Sequence, residues 1–451
     1  MDNQQSTPQC FCVICRNNHA FDLPVAILDA VSKSNLVVFA GAGISTESRI
    51  VFPWTFYEDI CGRISVDPRK GPPFADVMTE FCSRPNGRTE LLGLLQERIQ
   101  YVRSFPELYD TAVRFHRELA GIWQIKEIIT TNWDDFFEQE CGAMPLVMDE
   151  DFAFWSVPRR RVLKIHGSLN NLGSIVITRD DYEKCTASLA SGVLWACLKM
   201  HLATKTILFV GYSVTDEDFL QVYNAIASGM KGLKPEAYVV TLDTKSKLRF
   251  ESLGLKPIFT DGAHFLSVLK LHLVEAGSVI PATKFDAAFD LLEEMNELHS
   301  QLFIDWPAKK HPDVILCAAY QDGLIHALQR MRRNWRTGEY SHECFISQKI
   351  QGYAELRKQK SKMRRYSDVA YIDGYMNGLT YLLVPDSARK FIPRYFVFGS
   401  EDQPRTLSAY KRLSRHASKL HPAAYRYAKK MVPLTHADQD GIEVHHSPFL
   451  L

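Results

Sequence analysis

Apolar positions in residues 22–34 (DLPVAILDAVSKS) recur at helical spacing, with Leu23, Ile27, Leu28 and Val31 along one face, and predict an amphipathic helix. An unbroken apolar run, 36–40 (LVVFA), follows at once. It is too short for a helix and does not alternate with polar residues, so it reads as a strand buried on both faces. Runs of the same kind recur at 128–131, 162–165, 206–210 and 237–242, separated by segments long enough for crossover helices. A final strand with a closing helix is expected within 253–273 (LGLKPIFTDGAHFLSVLKLHL). Fully apolar strands alternating with helices predict an α/β fold with a doubly wound parallel sheet. The longest interval, 46–127, holds the segment 56–63, the Pro-rich Gly71-Pro72-Pro73 and helical patterns at 91–103 and 109–119. It predicts a helical insertion over the strand ends, where open parallel sheets bind ligands.

Beyond a linker at 277–281, residues 285–303 predict an acidic amphipathic helix, and the remainder mixes helical patterns with short apolar runs at 380–384 and 395–398. Three segments are expected: an arm at 1–21, an α/β domain at 22–276 and a mainly helical domain at 282–451. A chain of 451 residues exceeds one ordinary core, and 46% hydrophobic with 23% charged residues is a globular balance. Charge refines the picture. Residues 281–451 carry 25 lysines and arginines against 19 acidic residues, and 330–365 alone carry 11 against 3. Such a stretch is a solvated helix surface or a docking face for an acidic partner, nucleic acid included. No apolar run reaches the roughly 20 residues of a membrane span, and the first nine residues lack the basic-then-apolar pattern of a secretory leader. The ten cysteines are mostly isolated, as in a reducing compartment, so a cytoplasmic location is expected.

Candidate chemistry sits where the strands end. Gly41-Ala42-Gly43 lets the backbone pass close to a pyrophosphate, although a tight strand-to-helix turn with no ligand looks the same. Thr130-Thr131-Asn132-Trp133-Asp134 places an amide and a carboxylate at a carboxyl edge; both residues also serve as ordinary helix caps. His166, in Lys164-Ile165-His166-Gly167, can take a proton near neutral pH, though a histidine at a strand end is often structural. Gly211-Tyr212-Ser213 with Asp216 leaves the next strand in the same manner.

Taken in order, these motifs resemble the sirtuin superfamily, and the likeness covers about residues 25–275. That family runs glycine–alanine–glycine–isoleucine–serine (here 41–45), threonine-x-asparagine-x-aspartate (130–134), histidine–glycine (166–167) and a glycine-x-serine turn (211–213). The deacylating members carry two cysteine pairs between the histidine and the last turn, whereas this chain has only Cys185 and Cys197 there. Ile177-Thr178-Arg179-Asp180-Asp181-Tyr182 replaces their phenylalanine–glycine–glutamate, Pro53-Trp54 replaces a proline–aspartate–phenylalanine–arginine loop, and Arg49 stands where many relatives keep glycine. With Asp216-Glu-Asp218-Phe219 after the turn, the pattern is similar to sirtuin-like NAD hydrolases of bacterial anti-phage defence.

The resemblance implies a Rossmann-like sheet and a regulated NAD glycohydrolase that yields nicotinamide and ADP-ribose. Asn132 would hold the ribose or the attacking water, His166 would act as base, and Asp134 would orient the site. Gly41, Ala42, Gly43 and Ser45 would line the pyrophosphate side, and Thr131 would also bind the dinucleotide. Gly211, Tyr212, Ser213 and Asp216, with Asp243, would receive the adenosine end. The alternatives are an NAD-dependent protein deacylase and a non-catalytic NAD or ADP-ribose sensor. The C-terminal domain would carry control, through a homo-oligomer or a defence-system partner. No metal is required for this chemistry. The densest potential ligand group, Cys10, Cys12, Cys15 and His19, reads either as a structural zinc knuckle or as free thiols in an arm.

Overall fold

The computed structural model describes residues 12–188, 191–211, 235–335 and 338–432. Two compact units divide the chain, Met1–Ala276 and Gly277–Leu451.

The first unit is built on seven strands: β1 (Leu36–Ala40), β2 (Glu127–Thr130), β3 (Met144–Leu146), β4 (Arg161–Lys164), β5 (Thr206–Val210), β6 (Ala237–Thr241) and β7 (Lys256–Phe259). Every pairing is parallel, in the order β3-β4-β2-β1-β5-β6-β7. All five residues of β1 are buried, which explains its lack of alternation: helices cover both faces of the central strand. Val37, Phe39, Ile129, Leu163, Ile207, Phe209 and Val239 form one continuous core across the sheet. The edge strand β3 (MPL) escaped the apolar pattern because it is three residues long and carries Pro145, tolerable only where no further strand must pair.

Between β1 and β2 lies the helical insertion. Its helices include Phe56–Arg63, Phe74–Cys82 and Gly87–Ser104, which share a core of Phe56, Ile60, Phe81, Leu91 and Leu95 with Ile175 and Ile177. The pattern at 109–119 is two helices, Pro106–Ala112 and Arg114–Ala120, joined at Val113. The arm is anchored to the unit at β7: Asp261 N donates to the Asn17 carbonyl (3.0 Å), Thr260 Oγ1 to that of His19 (2.9 Å), and Phe21 stacks on Phe265.

Long helices dominate the second unit: Ala282–Asp305, Val314–Asn334, Glu343–Lys362 and Tyr366–Leu383. Gly323 and Gly374 face each other's helices so closely that an added Cβ would lie 1.9 Å from the Tyr371 and Tyr320 carbonyl oxygens. The apolar run at 380–384 is the end of one of these helices, while 395–398 is irregular chain pinned to Pro404 and packed through Phe396 on Tyr320. A cavity of about 420 Å³ lies beside it, lined by Tyr320, Arg357, Asp373, Asn377, Phe396 and Gln403 among others. Several of its polar groups are satisfied by one another: Arg357 with Asp373, Asn377 with the Tyr320 hydroxyl, and Gln403 with its own loop.

Candidate functional site at the carboxyl edge

Strand order decides where a ligand can sit. The chain builds outward from β1 through β2, then crosses to β5 on the other side, so the switch point lies between β1 and β5. In register, Ala40 pairs with both Thr130 and Val210, and Thr130 pairs with Lys164. The exits of four strands therefore lie at one level. Asn132 and His166 are each the second residue beyond the paired Thr130 and Lys164.

At the switch point two glycine turns meet. Gly41 N donates to the Val210 carbonyl (2.9 Å) and Gly43 N to that of Gly211 (3.0 Å). Gly211 has φ +62°, and a Cβ there would meet the Ile44 side chain at 2.5 Å. Both the backbone angle and the close approach demand glycine. Ala42 and Gly43 are exposed, whereas Ser45 is buried.

Ser45 is the centre of a short network. Its hydroxyl donates to Asp134 Oδ2 (3.1 Å) and accepts from Asn132 Nδ2 (3.3 Å). Thr130 Oγ1 donates to the Ala40 carbonyl and accepts from Asn132 N, which fixes the start of the loop. Asp134 Oδ1 accepts from Phe136 N, so this carboxylate binds the first N–H of the helix Phe136–Cys141 with one oxygen and holds Ser45 with the other. Burial raises the Asp134 pKa above the usual carboxylate range, against the opposing pull of Lys164. Asn132 is 4% exposed, and its Oδ1 has no partner. A buried orphan acceptor costs about 1–3 kcal/mol, which a bound hydroxyl or water would recover.

His166 is buried, with its ring edge-on to Tyr182 at 5.2 Å. Its carbonyl accepts from the Trp133 indole (3.0 Å), tying the β4 exit to the β2 exit. Gly167 (φ +86°) makes the turn that follows, where a Cβ would lie 2.2 Å from the Ser174 carbonyl oxygen. Thr131 is half-buried beside the glycine loop, with its N–H on the Ala40 carbonyl. Asp243 stands apart from the network: it is exposed beyond β6 and bonded to Ser246 Oγ and Lys245 N, and the Ser246 bond chiefly lowers its pKa. Tyr212, Ser213 and Asp216 lie outside the described residues, as does Cys10. Cys12 Sγ accepts from Cys15 N, and among the described residues no group of three or more histidine, cysteine or acidic side chains is placed to hold a metal.

Thr130, the first residue of its motif, pins the Asn132 backbone; two further contributors were not singled out as site residues in the sequence. Arg98, almost buried, donates to Glu47 and to the Thr46 and Trp54 carbonyls, bracing the chain after Ser45. Lys164 is buried at the end of β4. Arg49 turns outward onto Glu58, so its size does not intrude on the glycine loop.

A parallel sheet with glycine turns at its switch point and an amide–hydroxyl–carboxylate network beside them is the layout of an open α/β domain with its candidate site at the carboxyl ends of the strands. Residues 126–258, within the first unit, match the SIR2-like domain family model. The chain is similar to the NAD(+) hydrolase ThsA of Enterococcus faecium, with 29% identity over 205 residues, 44% of this chain and 41% of that protein. It is also similar to the NAD(+) hydrolase ThsA of Cytobacillus dafuensis, at 27% over 205 residues, 44% of this chain and 39% of that one. Defense-associated sirtuin 2 of Bacillus subtilis is 21% identical over 297 residues, 62% of this chain and 28% of that protein. The chain thus spans about two fifths of the ThsA proteins it matches. Among the described residues no helix is long and apolar enough to cross a membrane.

Proposed function

We propose that the chain is an NAD glycohydrolase, cleaving the nicotinamide–ribose bond to give nicotinamide and ADP-ribose. The observation that carries this reading is the Ser45–Asn132–Asp134 network at the β1 and β2 exits, beside the switch point, with a buried, unpartnered Asn132 Oδ1 at the level of His166. The names of the ThsA relatives point to the same reaction. Nicotinamide is already a cationic leaving group, so bond breaking through an oxocarbenium-like state needs little acid catalysis. The bonding electrons leave with nicotinamide, a water oxygen joins C1′, and the released proton passes to His166 or solvent. Asn132 Oδ1 accepts from that water or from a ribose hydroxyl. Asp134 favours the positive charge developing on the ribose. The exposed turn at Ala42 and Gly43 takes the pyrophosphate, with Thr131 beside it. Gly211 and the residues after it, Tyr212, Ser213 and Asp216, receive the adenosine end.

The deacylase reading is weaker. Cys197 is buried against His201 (3.3 Å) and Cys185 lies near the Ile165 carbonyl, so each is used singly. A free hydrolase would destroy its own cell's NAD. The second unit, with its basic 330–365 stretch, is our candidate for control in a defence role through self-association or a partner protein.

Chromatography of NAD incubated with the purified full-length chain tests the reading. Stoichiometric nicotinamide and ADP-ribose without any acylated peptide are expected, and Asn132→Ala should lower the rate by about 10²–10³. Strict dependence on an acyl peptide would assign a deacylase instead, and tight NAD binding without turnover would assign a sensor. Undiminished turnover in Asn132→Ala would overturn the site.

A further inference from the structure

Lys164 ends β4 with a side chain only 1% exposed. An ammonium has three donors, and here each has an acceptor: the Trp133 carbonyl (3.4 Å), the Asp134 carbonyl and Glu138 Oε1 (3.1 Å). All three acceptors belong to the β2 exit and the helix it enters. In return the Trp133 indole donates to the carbonyl of His166, two residues after Lys164, and Leu169 N donates to the Trp133 carbonyl. The exits of β2 and β4 are therefore bound in both directions.

Stability alone is a poor explanation for this lysine. Desolvating an ion pair costs several kcal/mol per ion, and packed apolar residues of similar volume commonly do as well or better. Two of its three bonds also go to main-chain carbonyls of the segment that presents Asn132 and Asp134. We propose that Lys164 is a positioning residue for NAD cleavage, clamping the β2 exit loop so that Asn132 and Asp134 are held at the level of His166. The inference rests on the hydrolase reading above and extends it to a residue that would not itself touch the dinucleotide.

The charge has a second effect, because Lys164 pulls the buried Asp134 towards its ionised form. The other groups around Asp134 are the Ser45 hydroxyl from the β1 exit and Asp135 and Glu138 from its own segment. Asp135 is paired with Arg103 and Glu138 with Lys164. His116, which also feels Lys164, is kept neutral by burial, its pKa depressed to about 3. Lys164 is thus the one cation among the described residues that both contacts this segment's backbone and opposes the burial of Asp134.

The test uses the full-length chain, steady-state NAD cleavage across pH, and a folding check by circular dichroism. Lys164→Met should lower kcat about 100-fold, the scale of a misplaced catalytic constellation, with KM for NAD changed less than threefold. Its acid limb should move to higher pH, because Asp134 loses the favouring cation. Lys164→Arg, which keeps the charge, should recover at least a tenth of the wild-type kcat. Glu138→Gln keeps the lysine should Lys164→Met fail to fold, and it should move the acid limb to lower pH. A folded Lys164→Met with kcat within threefold of wild type overturns the proposal. So does a uniform loss at every pH in both variants, the mark of a purely structural role. Wild-type cleavage together with an inactive Asn132→Ala upholds the hydrolase reading whatever the Lys164 variants do, whereas a wild type that leaves NAD intact sinks both.

Discussion

Ser45→Ala is the sharpest probe of the site, because one oxygen holds two functional side chains. Ser45 is 1% exposed, and its hydroxyl is the donor to Asp134 Oδ2 and the acceptor for Asn132 Nδ2. Removing it takes away a bond to a charged group, worth about 1.5–3 kcal/mol, and a neutral one, worth about 0.5–1.5 kcal/mol. The loss divides between folding stability and orientation of the Asn132 amide, which is then free to flip. If about 2 kcal/mol falls on orientation, kcat drops about 30-fold. Nicotinamide release at saturating NAD measures the rate, and urea unfolding measures the stability share. The double variant with Asn132→Ala is the decisive arm. Since Ser45 acts on the reaction through Asn132 and Asp134, adding Ser45→Ala to Asn132→Ala should cost far less than it costs alone. A kcat within threefold of wild type for Ser45→Ala, or fully additive losses in the double variant, would refute the network.

Other consequences follow from burial and packing. Asp134→Asn should abolish cleavage yet leave the protein at least as stable at neutral pH. A carboxylate whose pKa is raised in the folded state loses stability as pH rises through that pKa, and the amide removes this loss; denaturant titrations at pH 5 and 8 compare the two. In the second unit, burial pushes Asp313 up to about 6 from 3.8. The folded state then keeps a proton that the unfolded chain has released, so stability falls between about pH 4 and pH 6 and stays low above. Asp313→Asn should flatten that fall, on the order of 3 kcal/mol, as read from unfolding midpoints across the range. Gly374→Ala drives a Cβ to 1.9 Å from the Tyr320 carbonyl oxygen and should cost about 3 kcal/mol or more. Gly62→Ala, in a helix with nothing within 4 Å, should instead stabilise by about 0.5–1 kcal/mol; thermal melts of the pair separate crowding from propensity.

The parallel α/β class, five of the seven strands to within a residue or two, and the strand exits at which chemistry could sit were legible in the residue pattern. They are legible because a strand buried on both faces is apolar, as LVVFA is, and because the turn at Gly211 needs glycine for its positive φ. Short-range physics is written in adjacent residues. The rest depended on contacts between segments distant along the chain. Met144–Leu146 becomes a strand because β4 lies beside it, not because three residues prefer to be one. The chain at 395–398 is as apolar as a strand yet is irregular, held by Pro404 and Tyr320 from elsewhere in the unit. Ser45, Asn132 and Asp134 can be read singly as a loop serine, an amide and a helix cap; only the register of β1 on β2 makes them one network across 87 to 89 residues of chain. Lys164 is the clearest case. In the sequence it is one lysine at the end of an apolar run, and its buried position between two strand exits is set by partners 26 to 31 residues away that no local pattern specifies.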